Sequence, residues 1–118
     1  MIKPFKTTLL DRRLREKRRE NEKLRQETLQ RVLKLLPQLA ARYGFQRAYV
    51  FGSVTHKGRF RPQSDLDIAI EGLDDQHYFK FMADLYNRLE REVDVIQLER
   101  HRLQEQIKET GFEWTKLK

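Results

Sequence analysis

The segment Ser64-Asp65-Leu66-Asp67-Ile68-Ala69-Ile70 constrains this chain more than any other. Its alternation puts Leu66, Ile68 and Ile70 on one face of a predicted strand, with Asp65, Asp67 and Ala69 on the other. The apolar face has to be covered, which predicts a sheet packed on helices. The opposite face carries two carboxylates on the order of 7 Å apart along the strand. Two neighbouring acids on a largely buried strand repel each other unless a cation lies between them. Mg²⁺ suits such a place, because it takes one or two carboxylates and completes its shell with water and phosphate oxygens.

A second apolar run, Arg47-Ala48-Tyr49-Val50-Phe51, ends abruptly at Gly52-Ser53, with eleven residues between Ser53 and Asp65. Glycine lets the backbone approach a ligand closely, and Ser53 supplies a hydroxyl donor at an expected helix start. Alone, a Gly-Ser after a strand is an ordinary turn, and an isolated Asp-x-Asp is an ordinary solvated strand end. In this order and spacing they describe a site for a nucleoside triphosphate, held through its phosphates and a metal. The reading is a nucleotidyl-transfer enzyme.

Downstream, Glu92-Val93-Asp94-Val95-Ile96-Gln97-Leu98 reads as a short β-branched strand with one acid at its centre. By itself Asp94 would be a charge on a strand edge. Metal-assisted phosphoryl transfer needs a further acid to complete the metal site and help deprotonate the attacking hydroxyl, and Asp94 is the downstream acid within such a strand.

With Gly52-Ser53, Asp65-Leu66-Asp67 and Asp94 in place, the chain resembles the DNA polymerase β-type nucleotidyltransferases. Within them it is most similar to the minimal nucleotidyltransferases, the MntA-type antitoxins encoded beside HEPN-domain toxins. The resemblance spans about residues 28 to 110. It implies that the serine-bearing turn binds the triphosphate, that Asp65 and Asp67 hold Mg²⁺, and that Asp94 completes the metal site. It further implies ATP as substrate and a HEPN ribonuclease toxin as the acceptor of AMP on a tyrosine. Family members often carry Arg-Gly between the motifs; here Lys57-Gly58 stands there, and lysine still neutralises phosphate as a point charge.

At 118 residues the chain suits one core. It has no cysteine, which excludes disulfides and thiolate metal sites. No apolar run reaches the length of a membrane span or signal core, so a cytoplasmic location is expected. His56, His77 and His101 are scattered, and surface positions are expected for all three. The net charge of +7 is uneven: residues 1–31 hold eleven Lys or Arg against five acids, the remainder fourteen against thirteen. The basicity belongs to the amino-terminal end.

These features divide the chain into a basic helical arm over 1–30 and a minimal nucleotidyltransferase domain over 31–118. The fold expected is α/β (α+β), a small mixed sheet flanked by helices with a long basic N-terminal helix. Residues 1–6 are expected to be disordered. The arm from Leu10 is rich in helix formers, and its sparse leucine stripe is interrupted by Lys17, Asn21 and Arg31. It reads as a docking arm, for an acidic protein in preference to RNA, since aromatic residues for base stacking are absent. A helix over about 28–42 packs on the sheet, with Pro37 expected to kink it or start a new turn. Strands are expected near 46–51, 65–71 and 92–97. Arg59 and Arg61 in the connecting loop are expected either to touch the nucleotide phosphates or the acceptor, or to lie in solvent. Asp74-Asp75 would cap a helix over 76–90 that buries Phe79, Met82, Ala83, Leu85, Tyr86 and Leu89. A last helix over 99–109 precedes an apolar tail of Phe112, Trp114 and Leu117. With no second domain to enclose a small molecule, a protein acceptor fits best. The alternatives are an antitoxin that neutralises by binding alone, and a transferase acting on RNA or a small molecule.

Overall fold

The computed structural model describes residues 5–116. Helix α1 spans Phe5–Tyr43 and is followed by strand β1, Arg47–Phe51, and a single 3-10 turn, Gly52–Thr55. Strand β2, Leu66–Glu71, leads into helix α2, Tyr78–Leu89, and strand β3, Val93–Gln97. A short helix α3, Gln104–Thr110, and strand β4, Phe112–Thr115, complete the described chain. The sheet order is β3-β2-β1-β4. β1 is antiparallel to both its neighbours, and β2 and β3 run parallel.

The alternation expected for β2 holds. Leu66, Ile68 and Ile70 are fully buried in the main core, together with Val32, Leu36 and Leu39 of α1 and Phe81, Leu85 and Leu89 of α2. The other sheet face carries a smaller cluster, Tyr49, Ala69, Leu98 and Ile107, closed by α3. Both helices α1 and α2 therefore lie on one face, leaving most of the other for the polar ends of the strands.

Several expectations need correction. Helix α1 runs without interruption through Pro37, which is exposed, so no new turn starts there. The amide hydrogen that proline lacks is missing on the solvent side of the helix. Residues 1–4 lie outside the described residues, but Phe5 and Lys6 already belong to α1. Asp74 and Asp75 make no side-chain cap; a 3-10 turn over Asp75–His77 precedes α2, and the Asp75 carboxylate accepts from Gln97 and Arg100 instead. In α2 the core residue is Phe81, while Phe79 is 75% exposed and Ala83 and Tyr86 also face solvent. His77 is half-buried and packs edge-on to Tyr43. The last helix starts five residues late, after a 3-10 turn at Leu98–Arg100. The apolar tail is a strand: Phe112–Thr115 pairs with β1, and Trp114 meets the ring of Phe45 edge-on at 5.9 Å. Leu117 lies outside the described residues.

Candidate active site

The site begins at the end of β1. Phe51 pairs with Asp67 across the antiparallel ladder, and Asp67 pairs with Asp94 across the parallel one. Asp67 thus stands on the central strand between the turn after β1 and the acid of β3. Asp65 lies two residues before it, at the entry to β2, and is exposed. Asp94 is also exposed, on the edge strand of the sheet.

Gly52 has φ +79°, a conformation open to glycine at no steric cost. A Cβ built there would lie 2.2 Å from Oδ2 of Asp67, so the turn and the carboxylate fit together only because residue 52 has no side chain. Ser53 is half-buried within the 3-10 turn, its carbonyl accepting from the amide of His56 at 3.1 Å. The turn is braced twice. Thr55 Oγ1 donates to the Gly52 carbonyl at 2.7 Å, and Arg25 of α1 donates from Nη1 to the Val54 carbonyl at 3.1 Å. Arg25 is itself fixed by a two-pronged pair with Glu22, at 2.8 and 2.7 Å. That pair, with Gln26 and the nearby Lys57 charge, holds the Glu22 carboxyl down at about 2.

Electrostatics single out one member of the triad. Burial first, then the charges of Asp94 and Asp65, push the Asp67 carboxyl up to about 6. A carboxyl so placed resists ionisation until a cation compensates it. Among the described residues no three His, Cys, Asp or Glu side chains come together as a group that could hold a metal ion. Mg²⁺ takes one or two carboxylates and completes its shell with phosphate and water oxygens, and the register pair Asp67 and Asp94 on adjacent strands is a donor set of that kind.

A cavity of about 390 Å³ opens on this face, lined by Phe51, Gly52, His56, Asp94 and Ile96 with residues of α3. His101 also borders it, its Nδ1 accepting the Leu103 amide at 3.1 Å. A second hollow of about 430 Å³, around Tyr78, Phe79 and Arg100, touches none of the three carboxylates.

Residues 20–113 match the family model for polymerase β nucleotidyltransferases. The chain belongs to this nucleotidyltransferase family. Among solved structures, a minimal nucleotidyltransferase is 31% identical with a TM-score of 0.62, the match covering 73% of this chain and 92% of that one. A toxin-antitoxin complex with AMP-PNP is 25% identical with a TM-score of 0.61, covering 71% and 73% of the two chains. A mutant of the toxin-antitoxin pair MntA-HpeT, 23% identical with a TM-score of 0.59 over 71% and 73%, shares the fold. No curated protein matches significantly.

The nucleotidyltransferase sequence pointed to Gly52, Ser53, Asp65, Asp67 and Asp94, and the sheet gathers their backbones at one end of one face. Lys57 is exposed, and its charge is felt at Glu22 of α1. Arg25 went unnoticed as part of the site. The Glu22–Arg25 spacing is visible along α1, but its partner carbonyl lies 29 residues away and carries no side-chain signal.

Proposed function

We propose that this chain is a Mg²⁺-dependent nucleotidyltransferase that moves AMP from ATP to a tyrosine hydroxyl of a partner HEPN toxin, acting as its antitoxin. The observation that carries the reading is the half-buried carboxylate of Asp67, beside Asp94 in the sheet register and packed against a side-chain-free turn at Gly52. The likeness to the toxin-antitoxin complex with AMP-PNP supports both the nucleotide and the kind of partner.

Asp65, Asp67 and Asp94 would hold the metal, which when bound neutralises phosphate charge and lowers the pKa of an attacking hydroxyl. Gly52 admits the triphosphate chain close to the backbone, and Ser53 donates its hydroxyl to a phosphate oxygen. Lys57 adds a positive charge at the phosphate end. Asp94, exposed at the sheet edge, is the group assigned to help take the tyrosine proton. The phenolic oxygen bonds to the α-phosphorus, the bond to the β-phosphate oxygen breaks, and pyrophosphate leaves. A protein acceptor is supported by the likeness to the toxin-antitoxin complex.

The test is incubation with ATP, Mg²⁺ and the protein encoded beside it, followed by mass spectrometry of that protein. AMP on a tyrosine, absent with Asp65→Ala/Asp67→Ala, is the expected result. A tight complex with no modification would replace catalysis by neutralisation through binding.

A further inference from the structure

Nothing in the transfer reaction uses the first half of α1. From Thr8 to Glu20 every residue except Asp11 is exposed, so this stretch stands clear of the body, whose long axis it extends to 61 Å. Between Arg12 and Arg19 lie six cations, five of them arginine, against the single acid Glu16. Among the described residues none of Arg12, Arg13, Arg15, Lys17, Arg18 or Arg19 forms a salt bridge or side-chain hydrogen bond. A helix turns by about 100° per residue, so these six point to every side of the rod rather than along one stripe.

That distribution decides between partners. A flat acidic protein surface meets one side of a helix and would leave the cations behind it unused. Two further copies of so positive a segment would repel each other. A groove with anions on both walls meets cations on two opposite flanks of a helix at once. The major groove of B-form DNA, about 12 Å wide, admits a helix about 10–12 Å across, whereas the A-form RNA major groove is deep and narrow. Arginine is the cation best suited to phosphate oxygens, and the lack of aromatic rings from Leu10 to Gln30 removes the stacking that single strands need. We infer that Arg12–Arg19 is a DNA-binding element that grips the phosphate backbone of a duplex from within its major groove. It is separate from the transfer site and does not depend on that site's reading. Leu9, Leu10 and Leu14 are the exposed leucines on this part of the helix, and the next leucine, Leu24, already packs on the core.

The experiment is fluorescence anisotropy of the full chain with a labelled DNA duplex of about 20 bp, in KCl from about 50 to 200 mM. With four or more cations on phosphates, log affinity should fall against log salt with a slope steeper than about −3.5. Replacing Arg12, Arg13, Arg18 and Arg19 with Gln, which keeps helix propensity, should weaken binding at low salt at least about tenfold and bring the slope to about −2 or shallower. The same four changed to Lys should retain the slope within about one. Equal binding by the Gln variant, or loss of binding by the Lys variant with its helix intact, overturns the inference. So does an RNA duplex bound as tightly as DNA, or a chain that ignores both duplexes while the Gln variant loses its protein partner.

Discussion

The carboxylate of Asp67 occupies the space that a side chain at position 52 would fill: a Cβ on Gly52 would stand 2.2 Å from Asp67 Oδ2. The turn that ends β1 and the acid near the start of β2 are therefore one structural unit. Gly52→Ala has two costs, a left-handed backbone at φ +79° that disfavours a Cβ by about 1 kcal/mol, and displacement of the carboxylate. Unfolding in urea should show a loss of at least about 2 kcal/mol. Nucleotide transfer should disappear even where the variant remains folded.

Asp67 also sets a pH dependence for the metal-free protein. Its folded-state pKa is raised, through burial and then the charges of Asp94 and Asp65, from 3.8 to about 6. The folded chain thus holds this proton more tightly than the unfolded one. The contribution is favourable below the unfolded value and is lost as pH rises through about 6. Because the group is only half-buried, the cost at neutral pH is discounted to about 1 kcal/mol. Asp67→Asn should remove that part of the pH dependence, raise stability at pH 7.5 by about this amount, and abolish transfer. Added Mg²⁺ should raise the Tm of the parent chain more than that of the variant.

Arg25 couples the long helix to the site. Arg25→Met keeps the apolar stem but removes the donors to Val54 and Glu22, at a cost of about 1–2 kcal/mol. Freed from its brace, the Gly52–Thr55 turn should hold the triphosphate less well, so the KM for ATP should rise more than kcat falls. Steady-state kinetics of Arg25→Met beside Arg25→Lys measure this, with lysine restoring part of the KM.

Helix α2 offers a sharp test of its facing. Phe81 is fully buried and meets Phe45 and Tyr43 edge-on, whereas Phe79 is 75% exposed. Phe81→Ala should cost about 3–4 kcal/mol, and Phe79→Ala less than about 0.5 kcal/mol. Equal losses in chemical denaturation would contradict the observed register.

What could be read from the residues alone follows physical lines. Strand β2 was legible because its two faces differ so strongly, apolar at Leu66, Ile68 and Ile70 and acidic at Asp65 and Asp67. The turn at Gly52-Ser53 was legible because glycine and serine end an apolar run. Strand β4 was not: Phe112-Glu113-Trp114-Thr115 is short, and its place beside β1 is set by partners more than sixty residues earlier. The facing of α2 was misread because Tyr78, Phe79, Phe81 and Met82 offer two overlapping apolar stripes, and only packing against Phe45 and Tyr43 selects the one through Phe81. The Arg25 brace was hidden for the same reason, since a backbone carbonyl as acceptor leaves no trace in composition.

The most direct test is a paired transfer assay with ATP labelled at the α- or the γ-phosphate, in Mg²⁺, with the partner toxin and either the parent chain or Asp67→Asn. Label reaching the toxin from the α-position only, and only with the parent chain, is the expected result. Label arriving from the γ-position, or from either position with Asp67→Asn, would contradict nucleotidyl transfer at these carboxylates.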